Sequence, residues 1–186
     1  MKILKKSGKI MNTIIIYGSH YGTTQHYAKI LSMKTHIPMM NYKNIQDLSS
    51  YDVVIHIGAL YAGGILGLKK TLKSMSLQTQ LVVITVGLAD VNDLTNRQHI
   101  RESIQQYMSN ERYESLTIFH IRGGIDYQKL SFPHKTMMKL LCNQVKKIPE
   151  DKQNAEQKAI IETYGKDVSF VDEKNLDPII DYLKKK

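Results

Sequence analysis

The chain has 186 residues, 42% of them hydrophobic and 23% charged, which suits one soluble globular domain with a sizeable core. No apolar run approaches the roughly 20 residues of a membrane-spanning helix, the basic start MKILKKSGKI lacks the apolar stretch and cleavage site of a signal peptide, and a single cysteine, Cys142, excludes an internal disulfide or a cysteine metal site. The net charge of +9 is concentrated at the ends, with four lysines in residues 1–10 and three in 184–186, so the body carries only +2 and the charge is no argument for nucleic-acid binding.

These totals describe a protein of the reducing cytoplasm. The lysine arms read as solvated extensions, or else as contacts with an anionic surface. Met11 would make a natural start. Residues 1–11 are therefore taken as a basic N-terminal extension and 12–186 as a single domain.

NTIIIY (12–17) is short, β-branched and bounded by Gly18, and reads as a buried strand. TTQHYAKILSM (23–33) puts Tyr27, Ile30 and Leu31 at helical spacing. HIPMMNY (36–42) is a weak strand whose Pro38 suggests a start or a sheet edge. DVVIHIGAL (52–60) is a strong strand, and LGLKKTLKSM (66–75) a helix with Leu68, Leu72 and Met75 on one face. QLVVITVG (80–87) is a strand. TNRQHIRESIQQYMS (95–109) is a helix with Ile100, Ile104, Tyr107 and Met108 inward, and SLTIFHIRGG (115–124) a strand ending in two glycines. Residues 131–148 are helical. Residues 150–165 form a polar helix closed by Gly165, and 175–185 a last helix with Pro178 in its first turn and Leu176, Ile179, Ile180 and Leu183 inward. This alternation predicts a parallel sheet covered on both faces.

Ligands of such sheets sit beyond the carboxyl ends of the strands, near a topological switch point. The loop SHYGTT (19–24) lies there, between the first strand and the first helix. A phosphate in it would meet helix N-terminal N–H groups, with Ser19, Thr23 and Thr24 adding hydroxyls and Gly22 permitting close approach. A Walker loop needs a lysine straight after its last glycine, and Gly22 is followed by two threonines. A dinucleotide fingerprint needs three glycines and an acid after the second strand, which ends MMNY. A phosphate requiring neither metal nor ribose acid fits better, and FMN carries one.

SHYGTT resembles the FMN-phosphate loop of flavodoxins, with Ser19, Gly22 and Thr24 on the pattern and Tyr21 in place of a threonine. IHIGALYAGG is similar to the first isoalloxazine loop, and VGLADVND lies where the second belongs. GGIDYQKLSFPHKTMMKLL resembles a smaller branch containing flavodoxin-domain proteins and menaquinone-dependent protoporphyrinogen IX dehydrogenases. The resemblance implies a flavodoxin-like doubly wound five-stranded parallel sheet, order 2-1-3-4-5, with helices on both faces. It implies non-covalent FMN on Ser19, His20, Tyr21, Gly22, Thr23 and Thr24, on Ala59, Leu60, Tyr61, Ala62 and Gly63, on Gly87, Leu88, Ala89 and Asp90, and on Gly123 and Gly124.

Tyr61 is the aromatic candidate to stack on the flavin, or it packs on the next helix. Gly63, Gly64, Gly87 and Gly124 would let their loops approach the ring, or are simply turns. Asp90 would bond the flavin edge or, more in keeping with its type, cap the next helix. His20 would assist the phosphate. His56 and His120 read as satisfied core residues. No histidine pair has metal spacing, and no nucleophile–base set is seen, none being needed where the cofactor carries the redox chemistry. On a helical wheel Lys135, Lys139 and Lys146 share a face with Cys142, beside a face of His134, Met138, Leu141 and Val145. This is either a packed helix or a basic element meeting a membrane surface or anionic substrate.

The expected function is FMN-dependent oxidoreduction, with electrons passing from an organic, protoporphyrinogen-like substrate to a quinone. The alternatives are a flavodoxin-type carrier docking to redox proteins, and a flavin-free binding module. Such carriers are usually acidic, and this body is not. A cytoplasmic protein is expected, with peripheral contact at the inner face of the membrane through Lys135, Lys139 and Lys146.

Overall fold

The structure, a computed structural model, describes residues 5–6, 9–61 and 63–185. Five parallel strands form the sheet: β1 (Thr13–Gly18), β2 (Met39–Asn41), β3 (Val53–Tyr61), β4 (Gln80–Gly87) and β5 (Thr117–Arg122). Their spatial order is β2-β1-β3-β4-β5, the order expected. Seven α-helices are described: α1 (Thr23–Thr35), α2 (Leu68–Ser74), α3 (Leu94–Gln105), α4 (Asn110–Glu114), α5 (Phe132–Val145), α6 (Ala155–Thr163) and α7 (Asp177–Lys184).

Period-two alternation in the apolar strands builds a core on each face of the sheet. Ile15, Ile55, Ile57 and Ile84 face Tyr27 and Leu31 of α1 and Ile179 and Leu183 of α7. Ile14, Ile16, Val54 and Val83 face Leu68 of α2 and Ile100 and Ile104 of α3. Val53–Gly58 are buried throughout, as a central parallel strand requires. Tyr27 is fully buried, and its hydroxyl donates to the Arg122 carbonyl (2.8 Å) and accepts the Asp172 N–H (3.1 Å). One side chain thus pins α1 to the end of β5 and to the turn that starts α7.

The weak second strand is an edge strand, and Pro38 just precedes it; the Pro38 carbonyl accepts the Ile15 N–H at 2.9 Å. The last helix buries Leu176, Ile179, Ile180 and Leu183 and carries Pro178 in its first turn, as its spacing implied. Gly165, at φ 75°, follows the C-cap of α6.

Three expectations are corrected. The helix expected over 95–109 ends at Gln105, and α4 follows; Tyr107 lies in the turn between them, 40% exposed rather than inward. The strand expected to end at Leu60 runs on to Tyr61, and the chain after it returns as a two-residue strand, Gly64–Ile65, antiparallel to β3, where a loop was expected. A strand not foreseen, Asp167–Ser169, pairs antiparallel with Gly124–Asp126. Lys5–Lys6 and Lys9–Ile10 form a short antiparallel pair. No helix among the described residues is long and apolar enough to cross a membrane.

Candidate functional site

β1 lies between β2 and β3, so the connections leaving β1 and β3 turn to opposite faces of the sheet and leave a crevice at their carboxyl ends. Residues 19–22 form one lip. Gly22 is left-handed (φ 95°, ψ −25°) and caps α1, where an L side chain would be strained. The Ser19 hydroxyl accepts the Gly22 N–H at 3.1 Å and holds the turn.

No side chain caps the N-terminus of α1, and its first turn contains no acid. The N–H groups of that turn, and the positive end of a 13-residue helix dipole, are therefore left for an anion. Thr23 is half-buried beside them. Thr24 is only 2% exposed and belongs largely to the interior, so its hydroxyl is a smaller part of this lip than Ser19 or Thr23.

The second lip is the end of β3. Leu60 pairs with Ile65 and Tyr61 with Gly64, around a turn in which Gly63 is left-handed at φ 77°. Ala62, expected at the site, lies outside the described residues. The Ala59 carbonyl accepts the Leu66 N–H (3.0 Å) and is committed to this hairpin, while Leu60 packs into the core against β4. Of this group, Tyr61 is the residue whose side chain reaches the mouth.

There Tyr61 meets a partner that sequence reading missed. The Tyr61 hydroxyl is 2.6 Å from Nε2 of His134, and the Tyr21 hydroxyl is hydrogen-bonded to Nδ1 of the same ring. A neutral imidazole donates from one nitrogen and accepts at the other, so one phenol accepts and the other donates. The His20 ring stands 4.6 Å from that of Tyr61 and 5.5 Å from that of His134. Burial, then the neighbouring His134 and Lys43, lower the pKa of His20 below its ordinary value. The lip of residues 19–22, the β3 lip and the start of α5 thus close on one another through aromatic rings. His134 is the polar member of an otherwise apolar helix face, the one hint of a partner outside its own helix.

β4 and β5 end behind this mouth. The Gly123 N–H donates to the Gly87 carbonyl at 2.7 Å. A Cβ on Gly87 would lie 2.8 Å from Leu60, and one on Gly123 2.7 Å from Val86, so both glycines permit the close approach of these strand ends. Gly124 pairs with Ser169, and a Cβ there would meet the Val168 carbonyl at 2.7 Å, so the short sheet itself needs a glycine at this position. Asp90 is corrected as a helix cap. Its carboxylate accepts the Asn92 N–H (2.9 Å), while Asp93 caps α3 through the Asn96 N–H (2.6 Å). Ala89 is buried. The Leu88 carbonyl is gripped by Nε and Nη2 of Arg122 (2.9 and 2.7 Å), whose guanidinium lies 3.4 Å from the centre of the Phe170 ring. Sequence reading passed over Arg122, although its place at the end of β5, just before two glycines, marks it.

The strand histidines divide. His56 is fully buried with Nδ1 2.9 Å from the Thr71 hydroxyl and Nε2 3.2 Å from the Leu66 carbonyl; burial pushes its pKa down to about 4. His120 bonds the Thr85 hydroxyl through Nδ1 (2.7 Å), but its Nε2 has no protein partner, which corrects its reading as a satisfied core residue. It lines a cavity of about 10 Å³ shared with Arg97 and Gly87, about the space of one water. Burial, then Arg97 and Arg101, push its pKa down to about 4.

Residues 14–153 match the model of the Flavodoxin domain family. Comparison with curated proteins returns no match. Among solved structures, the chain is similar to a flavoprotein in complex with FMN from Lactobacillus acidophilus, with 12% identity over 60% of this chain and 92% of that one and a TM-score of 0.41. It is also similar to a flavodoxin bound to flavin mononucleotide from Fusobacterium nucleatum, with 13% identity over 66% and 75% of the two chains and a TM-score of 0.41. A flavodoxin from the Archaea matches at 10% identity, over 61% and 85% of the chains, with a TM-score of 0.38. With residues 14–153 of 186 inside the family match, the chain belongs to the flavodoxin domain family.

Proposed function

We propose that the chain is an FMN-dependent oxidoreductase, and the observation that carries this is the uncapped, acid-free N-terminus of α1 behind left-handed Gly22, at the switch point and beside Tyr61. Membership of the flavodoxin domain family supports the same cofactor. The residues fit the group. A phosphate needs N–H and hydroxyl donors without a competing carboxylate, which the first turn of α1, Ser19 and Thr23 supply. A planar ring needs an aromatic face and backbone that comes close, which Tyr61 and the glycines 63, 87 and 123 supply.

Bound FMN would supply reversible one- and two-electron chemistry. Ser19 and the α1 N-terminus would bind its phosphate, Tyr61 would offer an aromatic face to the ring, and the loop of Leu88 and Ala89, held by Arg122, would border it. Because Tyr21 and Tyr61 are both tied to His134, ring entry requires that contact to part.

The finer reading is that electrons pass from an organic, protoporphyrinogen-like substrate to a quinone. It draws on the near-neutral body, since a carrier docking to basic redox proteins would be expected to be acidic. The test is to purify the protein, measure flavin per chain, photoreduce it without oxygen, and mix it with a menaquinone analogue or with an oxidised redox protein. Rapid oxidation by the quinone alone is expected. Oxidation by the redox protein alone would make it a carrier, and a colourless protein that takes up no FMN would overturn the cofactor.

A further inference from the structure

We propose that the outward face of α5 docks on an anionic lipid bilayer. α5 turns Cys142 (1% exposed) and Val145 (6%) inward, so the face that Cys142 shares with the lysines borders the buried side of the helix. Outward it shows Phe132, 82% exposed, and Leu140, 60% exposed. With Pro133, Met137 and Leu141, and the polar Thr136 and Gln144 among them, these line a mainly apolar open groove of about 590 Å³. A contiguous apolar strip of this kind on a surface helix calls for a covering phase.

Charge decides which phase. Lys135, Lys139 and Lys146 fall within about 40° of one another around the helix, along one edge of the apolar strip. From residue 127 to residue 149 the chain has five lysines and no acid. Lys135 reaches the Gln128 carbonyl at 3.2 Å and Lys146 stands 5.9 Å over Tyr164, and among the described residues no lysine of α5 is in an ion pair. A second copy placed symmetrically on this face would bring the lysines of one α5 toward those of the other. An anionic leaflet complements both features: apolar side chains enter the acyl boundary, and lysine stems lie along it with their ammonium groups at the phosphates.

The position of α5 gives the contact a use. Its first turn carries His134, which is bonded to Tyr21 and Tyr61 at the mouth of the crevice. A bilayer on this face would therefore lie beside the mouth, and a lipid-dissolved quinone could reach it without crossing bulk water. That consequence, though not the docking itself, rests on the proposed function.

The test is co-sedimentation of the full chain with phosphatidylglycerol vesicles and with phosphatidylcholine vesicles, with flavin content measured in parallel. Binding to the anionic vesicles at low salt, release at high salt and no binding to phosphatidylcholine are expected. Each lysine is worth about fivefold in partitioning, so Lys135→Gln, Lys139→Gln and Lys146→Gln together should weaken it about a hundredfold before screening. Phe132→Ser with Leu140→Ser should weaken it at least about tenfold. These side chains are exposed or solvated, so folding and flavin content should be unchanged. A wild-type protein that ignores anionic vesicles overturns the proposal. So does binding that survives both sets of α5 changes and vanishes only when the lysines of residues 1–10 and 184–186 become glutamine. A dimer that ignores vesicles and dissociates in the Phe132→Ser, Leu140→Ser variant also overturns it, in favour of a second copy. Vesicle binding by a protein that takes up no flavin would sink the proposed function and leave the docking in place.

Discussion

Tyr61→Phe and Tyr61→Ala should move flavin affinity in opposite directions, because the hydroxyl and the ring of Tyr61 have opposite parts. The hydroxyl is 2.6 Å from Nε2 of His134 and helps hold the mouth shut. A neutral hydrogen bond of this kind nets about 1 kcal/mol. Tyr61→Phe removes it and keeps the ring, so the open form gains up to about fivefold in population and apparent affinity rises by no more than that factor. Tyr61→Ala also opens the mouth but deletes the aromatic face. Stacking beyond area burial is worth about 0.5–1.5 kcal/mol, and the lost apolar contact adds to it, so a net weakening of about 1 kcal/mol is expected, with brighter flavin fluorescence as ring quenching disappears. His134→Leu breaks this hydrogen bond and the one to Tyr21, and should raise apparent affinity at least as much as Tyr61→Phe. The assay is titration of apoprotein with FMN, followed by fluorescence. Equal weakening in Tyr61→Phe and Tyr61→Ala would refute the reasoning, because the hydroxyl rather than the ring would then be holding the flavin.

Thr23→Glu places a carboxylate against the α1 N-terminus, where it satisfies the helix dipole and repels a phosphate dianion; flavin content should fall to near zero while the apoprotein melts no lower than the wild type. Arg122→Met leaves the Leu88 carbonyl without its paired donors (2.9 and 2.7 Å) and should cost about 1.5–3 kcal/mol in urea unfolding, the range of a charged hydrogen bond. His56 has its pKa pushed down to about 4 by burial, so the stability of holding it neutral is complete above its unfolded value of about 6.5 and is lost as pH falls from there to about 4. That loss amounts to about 3 kcal/mol by pH 4. Urea midpoints measured from pH 7 to pH 4 should show it, and an NMR titration of His56 with a midpoint near 6.5 would contradict it.

Much of the fold was legible because it depends on local pattern. Short β-branched runs such as TIIIY and QLVVITV can be buried on both faces only as central parallel strands, and the helices between them show their inward faces by spacing, as Tyr27, Ile30 and Leu31 do. The turn into α1 was legible because Gly22 and its hydroxyl neighbours must do local work at a helix start. The hairpin after Tyr61 was missed, since a two-residue return strand has no period to detect. The pairing of Gly124 with residue 169 and the internal turn at Asp90 were missed, since both depend on neighbours that position in the sequence does not reveal. A helical wheel sorts the faces of α5 relative to each other but cannot say which is buried; packing of Cys142 and Val145 decided that and left Phe132 and Leu140 outside. The Tyr21–His134–Tyr61 contact joins the loop after β1, the end of β3 and the first turn of α5, and it exists only because the parallel sheet brings the carboxyl ends of its strands to one edge, a juxtaposition that chain folding creates and no local spacing records.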